Sequence, residues 1–358
     1  MMKRRRGLTL GALLAIAWAP SVAAQASGGR GSQEAGSRVG PRVDRGTLAG
    51  TVRTDTLWSQ SLGTRKALTV YLPPSYDPTA TRRYPVLLYL HGLGGNERNW
   101  VDAGQLHRTM DSLVSAGWPE AIIAMPDGDD SWYTTFASLP DVPGCQADTA
   151  RREPATTFCV PWPHYDDYVA RDIVGHLDAT YRTRADRAHR AIAGLSMGGY
   201  GAVTLALAYP DVFAAAASHS GVLSPRLLPA DSPSDSAAAS PRYAVTPAEF
   251  ARAAGRLWPS QRLAFGRDSI AWTARDPRVL LARLAPRVQR GEATWPALYI
   301  DVGVDDPWLR HNRDFNAVLA ATGVPRRYGE YFGGHTWTYW RAHAEDSLTF
   351  LLAQIATP

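Results

Sequence analysis

Cysteine and lysine are nearly missing from this sequence of 358 residues: only Cys145 and Cys159, and only Lys3 and Lys66, occur. Two cysteines exclude the dense disulfide framework of a small secreted scaffold, and neither stands at metal-ligand spacing. No grouping of His, Cys and carboxylate residues has zinc spacing, and no Gly-rich nucleotide fingerprint is present, so no metal and no cofactor are expected. The scarcity of lysine reads as a coding preference for arginine and carries no function. An apolar run of the roughly 20 residues needed to cross a bilayer is also missing. Outside residues 3–6 the basic residues are scattered instead of clustered, so the formal net charge of +5 does not point to a nucleic-acid partner.

Four of the cations sit at the very start. Lys3, Arg4, Arg5 and Arg6 precede an apolar stretch over 8–18 and small residues over 21–26, the three-part pattern of a secretory signal peptide. Residues 1–26 are therefore expected to direct export, into the periplasm or the medium, with cleavage after Ala24 or Ala26 and no stable membrane anchor. Removing those four cations with the leader takes the net charge from +5 to +1. Residues 27–46 are rich in Gly, Ser and Arg without apolar periodicity, which suits a solvated linker. One domain should fill 47–358. In an exported chain, Cys145 and Cys159 are expected to form a disulfide that closes a surface loop.

The body alternates strand-like and helix-like patterns, which argues for a mostly parallel sheet with helices on both faces. Strands are expected at 67–72, 86–90, 121–125, 188–193, 214–218, 297–302 and 327–332, and helices at 106–115, 165–181, 200–208, 310–321 and 339–353. Two segments break the rhythm. Residues 137–160 carry both cysteines, and residues 224–275, rich in Pro, Ser and Ala in their first half, read as an insertion over the catalytic face with a helix at 247–256.

The chemical signal is Gly194-Leu195-Ser196-Met197-Gly198, a G-x-S-x-G between an expected strand and an expected helix. Small neighbours let the backbone make a tight strand-to-helix turn that presents the serine hydroxyl to a cleft. A serine is a weak nucleophile at neutral pH and needs a histidine base, itself held in one tautomer by a carboxylate. Both partners follow in the order acid, then histidine. Asp305 and Asp306 come just past the strand at 297–302, and Gly333-Gly334-His335 follows the last strand. Asp301, inside the strand pattern, is a weaker rival. His91 should order the turn after its strand, while His219 and His343 read as structural.

Five segments together resemble the esterase D superfamily, which includes feruloyl esterases, S-formylglutathione hydrolases and the antigen 85 mycolyltransferases. They are Val70-Tyr71-Leu72-Pro73-Pro74-Ser75-Tyr76, Leu90-His91-Gly92-Leu93-Gly94-Gly95, Met125-Pro126-Asp127-Gly128, Gly194 through Gly199, and His335-Thr336-Trp337-Thr338-Tyr339-Trp340. The resemblance implies an α/β-hydrolase fold with Ser196 as nucleophile, His335 as base and Asp306, the second aspartate of its pair, as acid. It also implies an oxyanion hole built from the backbone N–H groups of Leu93 and Met197. Trp100, Trp132, Tyr133, Trp162, Trp337 and Trp340 fall in or beside segments of the expected mouth, where they would suit stacking on a sugar or phenolic ring. The expected activity is hydrolysis of short-chain or aromatic acyl esters of sugar-like alcohols, a small-molecule or carbohydrate substrate, through an acyl-enzyme. The alternative is an acyltransferase of the antigen 85 type that passes the acyl group to a carbohydrate.

Overall fold

The structure is a computed structural model that describes residues 49–147, 159–230 and 240–356. The expected signal peptide and linker lie outside the described residues, as do parts of both insertions. Eight strands form one sheet: β1 (Thr51–Ser59), β2 (Thr64–Leu72), β3 (Val86–Leu90), β4 (Ile122–Pro126), β5 (Arg190–Leu195), β6 (Ala215–His219), β7 (Ala297–Gly303) and β8 (Arg326–Tyr331). Their order is β1-β2-β4-β3-β5-β6-β7-β8. β1 and β2, and β2 and β4, pair antiparallel; every other pair is parallel. This is the α/β-hydrolase arrangement expected from the motifs.

The central strands β3, β4, β5 and β6 are buried at every position, because near-continuous apolar runs suit strands covered on both faces. Alternate residues go to opposite sides. Val86, Leu88, Ile122, Ala124 and Ile192 pack with Tyr200 and Val203 of the helix Met197–Ala208 and with Leu281 and Leu284 of the helix Pro277–Gln289. Leu87, Tyr89, Ile123, Met125, Ala191 and Ala193 pack with Met110 and Leu113 of the helix Leu106–Ser115 and with Leu348, Leu351 and Leu352 of the helix Trp337–Ile355.

Several elements depart from the sequence expectation. β1 was not foreseen: Thr51–Ser59 buries little besides Leu57 and Ser59 and reads as polar chain, yet it forms an edge hairpin with β2. Gly63, at φ +67°, closes the turn with its N–H on the Ser59 carbonyl at 2.9 Å. The helix Pro277–Gln289 was also missed, since Pro286 lies inside it; Asp276 caps its start and Pro277 fits the first turn. The continuous helix expected at 165–181 contains a π-helical stretch, Tyr168–Ile173, between the short α-helices Tyr165–Asp167 and Val174–Thr180. The Tyr165 hydroxyl donates to Asp129 at 2.6 Å and the Tyr168 hydroxyl to the Asp127 carbonyl at 3.1 Å.

The segment 224–275 is more helical than its composition suggests. Pro247–Ala254 starts with a capping box of Thr246 and Glu249, and Gly255–Leu257, Trp258–Phe265 and Ser269–Ala274 follow. Cys145 and Cys159 are disulfide-bonded, with Cα atoms 5.7 Å apart.

Candidate active site

β5 ends at Leu195 and the helix Met197–Ala208 begins two residues later, so Ser196 alone makes the turn. Its backbone sits at φ +53°, ψ −116°, a sparsely populated region that costs a side-chain-bearing residue about 1–3 kcal/mol. Surrounding contacts hold it there. The Ser196 N–H donates to the His219 carbonyl at 2.9 Å, and the Ser196 carbonyl accepts from Tyr200 N–H at 3.0 Å. The motif glycines are dictated by space: a Cβ on Gly194 would stand 2.4 Å from the Gly198 backbone, and one on Gly198 would stand 2.5 Å from the carbonyls of Leu90 and His91.

The histidine arrives on the loop after β8, where Gly333 at φ +125° turns the chain. His335 Nδ1 lies 2.9 Å from Asp306 Oδ2, and His335 Nε2 lies 2.9 Å from Ser196 Oγ. A carboxylate can only accept, so Nδ1 carries the proton and Nε2 is left to accept from the serine hydroxyl. The Asp306 side chain is fully buried, with its second oxygen taking the Trp308 N–H at 2.8 Å. Its two rivals stand elsewhere. Asp305 is exposed, and Asp301 is buried against His219, with Oδ2 2.8 Å from Nδ1.

A cleft of about 540 Å³ opens at Ser196 and His335, lined also by Gly92 to Gly95, Leu257, Trp308, Trp337 and Trp340. Leu93 and Met197 flank the serine from the β3 turn and the helix start, and neither amide has a hydrogen bond among the described residues. The β3 turn is braced from behind. His91 Nδ1 lies 2.8 Å from the Gly92 carbonyl and Nε2 accepts from Gly128 N–H at 2.9 Å. Asp130 accepts the Gly94 N–H at 2.6 Å. Beneath that loop, buried Lys66 reaches Asp127 at 2.5 Å and Asp129 at 2.8 Å. Burial would lower the Lys66 pKa, but Asp129 and Asp127 more than offset it and keep it raised. Burial raises Asp129, whereas contacts with His91 and Lys66 overcome burial at Asp127 and hold it below the usual carboxylate range.

The expected aromatic wall is only partly there. Trp337 and Trp340 line the cleft, with Trp340 edge-on to His335 at 4.9 Å. Trp100, Trp132 and Tyr133 do not reach it. Trp100 is buried with its indole N–H on the Leu90 carbonyl, Trp132 packs on Tyr200 and Phe265, and the Tyr133 hydroxyl donates to the His91 carbonyl. Large rings beside a fully buried sheet lose more contact in water than in the core, so these three support the site from within. Trp162 is 56% exposed and is not among the cleft residues. Sequence reasoning missed Trp308, which follows Asp306 by two residues, and Arg256 and Leu257, which come from the 224–275 segment and carried no signal.

The Esterase family model matches residues 59–351. The chain belongs to the Esterase family. It is 30% identical over 288 residues to an esterase of Mycobacterium tuberculosis (strain CDC 1551 / Oshkosh), across 77% of this chain and 54% of that protein, so the chain spans about half the length of that relative. Among solved structures it is similar to a ferulic acid esterase at 25% identity and TM-score 0.61, covering 86% of this chain and 99% of the other. It is also similar to an S-formylglutathione hydrolase from Agrobacterium tumefaciens at TM-score 0.60, covering 86% and 96%, where 19% identity carries the fold alone. These relatives fit the esterase D superfamily that the motifs resemble.

Proposed function

We propose that this Esterase-family chain is an exported serine esterase. The observation that carries the reading is the unbroken hydrogen-bond chain from Asp306 through His335 to Ser196 at the floor of an open cleft. Ser196 Oγ attacks the ester carbonyl carbon while His335 Nε2 takes the hydroxyl proton, and Asp306 stabilises the resulting imidazolium. The tetrahedral oxyanion is held by the amides of Leu93 and Met197, each worth on the order of 3 kcal/mol. Collapse expels the alcohol, which takes its proton from His335, and leaves an acyl-Ser196. Water then loses a proton to His335, attacks the acyl carbon and releases the acid. The His335 side chain is 20% exposed, which supports water as the acceptor.

The substrate we infer is a short-chain or aromatic acyl ester of a sugar-like alcohol. A cleft of about 540 Å³ with indole walls suits a compact acyl group and a ring. The name of the ferulic acid esterase supports the same class. Export rests on the N-terminal pattern, and the Cys145–Cys159 disulfide suits an oxidising compartment. The deciding experiment assays acetyl, butyryl, feruloyl and palmitoyl esters with and without sugar acceptors, identifying products by mass, alongside Ser196→Ala. Hydrolysis of compact esters that vanishes in Ser196→Ala is the expected result. Transfer to a sugar outrunning hydrolysis, or a preference for palmitoyl esters, would overturn it in favour of the acyltransferase.

A further inference from the structure

One side chain in the cleft is not explained by ester chemistry. Arg256 is an exposed cation on the cleft wall, with its guanidinium 5.7 Å over the Trp308 ring and no ion pair or hydrogen bond among the described residues. Its placement is built. Gly255, at φ +53°, ends the helix Pro247–Ala254, and the next turn buries Leu257 in the core while Arg256 stays on the cleft. Trp308 in turn lies edge-on to His335, with ring centroids 6.4 Å apart. The cation therefore stands one indole ring away from the catalytic imidazole.

Side matters here. The oxyanion turn flanks Ser196 from β3, whereas Trp308 packs against the histidine that hands its proton to the departing alcohol. A charge stacked on Trp308 therefore faces the alcohol portion of the substrate. An arginine on an aromatic face keeps its donors directed outward, where a carboxylate or phosphate can take two of them at once. We propose that Arg256 is a specificity-determining residue that selects esters whose alcohol portion carries an anionic group, such as the carboxylate of an acidic sugar or phenol. The inference rests on the esterase reading and narrows its substrate.

The test compares 4-acetoxybenzoate with 4-acetoxybenzamide, two acetyl esters that differ mainly in charge on the alcohol side. In the wild type kcat/KM should favour the anion. Arg256→Gln should lower the anion-to-neutral ratio by about fivefold, near the upper end for an exposed ion pair, and Arg256→Lys should keep part of it. Raising salt should narrow the wild-type ratio. The same variants are assayed on 4-nitrophenyl hemisuccinate against 4-nitrophenyl butyrate, where the anion sits on the acyl side and the ratio should hold. A ratio unchanged by Arg256→Gln on the acetoxybenzoate pair overturns the inference, and an equal loss on the hemisuccinate pair overturns its alcohol-side placement. Cleavage of the neutral ester by the wild type but not by Ser196→Ala keeps the esterase reading standing whichever way the ratio falls. A wild type that cleaves neither acetoxy ester overturns both.

Discussion

The backbone N–H of Ser196 donates to the carbonyl oxygen of His219 at 2.9 Å. His219 is itself fixed, with Nδ1 2.8 Å from Asp301 Oδ2 and Nε2 2.8 Å from Ser347 Oγ. The chain thus holds a second serine, histidine and aspartate in sequence, but Ser347, His219 and Asp301 are all 0% exposed. No substrate reaches them. They anchor the strained turn that carries Ser196, and this divides the aspartates by function. Asp306→Asn should lower kcat by about ten-thousandfold through loss of the histidine tautomer, with the melting temperature nearly unchanged. Asp301→Asn should instead cost about 2 kcal/mol of stability, with a smaller fall in kcat. Asp305→Asn should move neither. Measuring melting temperature and kcat on the three variants checks this, and a loss of kcat in Asp305→Asn as large as that expected for Asp306→Asn would reassign the acid.

Gly198→Ala tests the close approach between the serine turn and the oxyanion turn. Its Cβ would stand 2.5 Å from the carbonyl oxygens of Leu90 and His91, both main-chain atoms that cannot swing aside. The two turns must separate, moving Met197 N–H away from Leu93 N–H. A loss of about 3 kcal/mol in stability is expected from the overpacking, together with a fall in kcat of a hundredfold or more. Chemical denaturation and steady-state kinetics measure both. Wild-type turnover in this variant would show that the turns need not touch.

The parts of the fold that were legible in the sequence are those where one local pattern decides the outcome. β3, with Val86 to Leu90 all apolar, can only be an interior strand, and the observed bounds match the expected ones. Ser196, Asp306 and His335 were named from a motif, a chain order and a family likeness, and the structure brings them within hydrogen-bond reach. β1 was invisible because an edge strand with one solvated face needs few apolar residues, and its pairing with β2 is a tertiary fact. The tryptophans misled for a related reason. Sequence proximity to a cleft segment says nothing of which face a ring takes, and Trp100 and Trp132 turned inward where the core offered acceptors for their N–H groups. Arg256 had no signal at all, since an insertion helix docks by packing that no short motif encodes.

Lys66→Met should be among the most damaging substitutions outside the triad. Lys66 is 1% exposed and its ammonium neutralises Asp127 and Asp129, while Tyr165 donates to Asp129 at 2.6 Å. Removing the cation leaves two buried carboxylates facing each other, a change that costs about 3–5 kcal/mol. The loop 127–130 also braces the oxyanion turn through His91 and Asp130, so kcat should fall more than KM rises. The double variant Lys66→Met, Asp129→Asn should recover part of the stability, because Asp129 is the carboxylate that burial already pushes toward its neutral form. Denaturation midpoints of the single and double variants decide it; no recovery would mean that packing, not charge, sets the cost.

The last prediction concerns pH and lies behind the cleft wall. His311 is buried in the helix Leu309–Thr322, packs edge-on against Trp308 at 5.1 Å, and its Nδ1 has no partner among the described residues. Burial lowers its pKa from 6.5 to about 4. Below pH 6.5 the unfolded chain binds a proton that the folded chain refuses, so the contribution is fully present above 6.5 and drains away as pH falls to about 4. A shift of that size corresponds to roughly 3 kcal/mol. Asp127, held below 3.8 in the folded state, loses its contribution only beneath that value, so the two effects occupy different windows. Asp129 and Asp276 are raised by burial and work in the opposite sense as pH falls, which makes comparison with a variant necessary. The urea midpoint of the wild type should drop between pH 7 and pH 4.5 more steeply than that of His311→Phe, which fills the site with an uncharged ring. Parallel slopes for the two proteins would place the acid sensitivity elsewhere. A steeper wild-type slope would tie the stability of the Trp308 wall, and with it the seat of Arg256, to a histidine that must stay neutral.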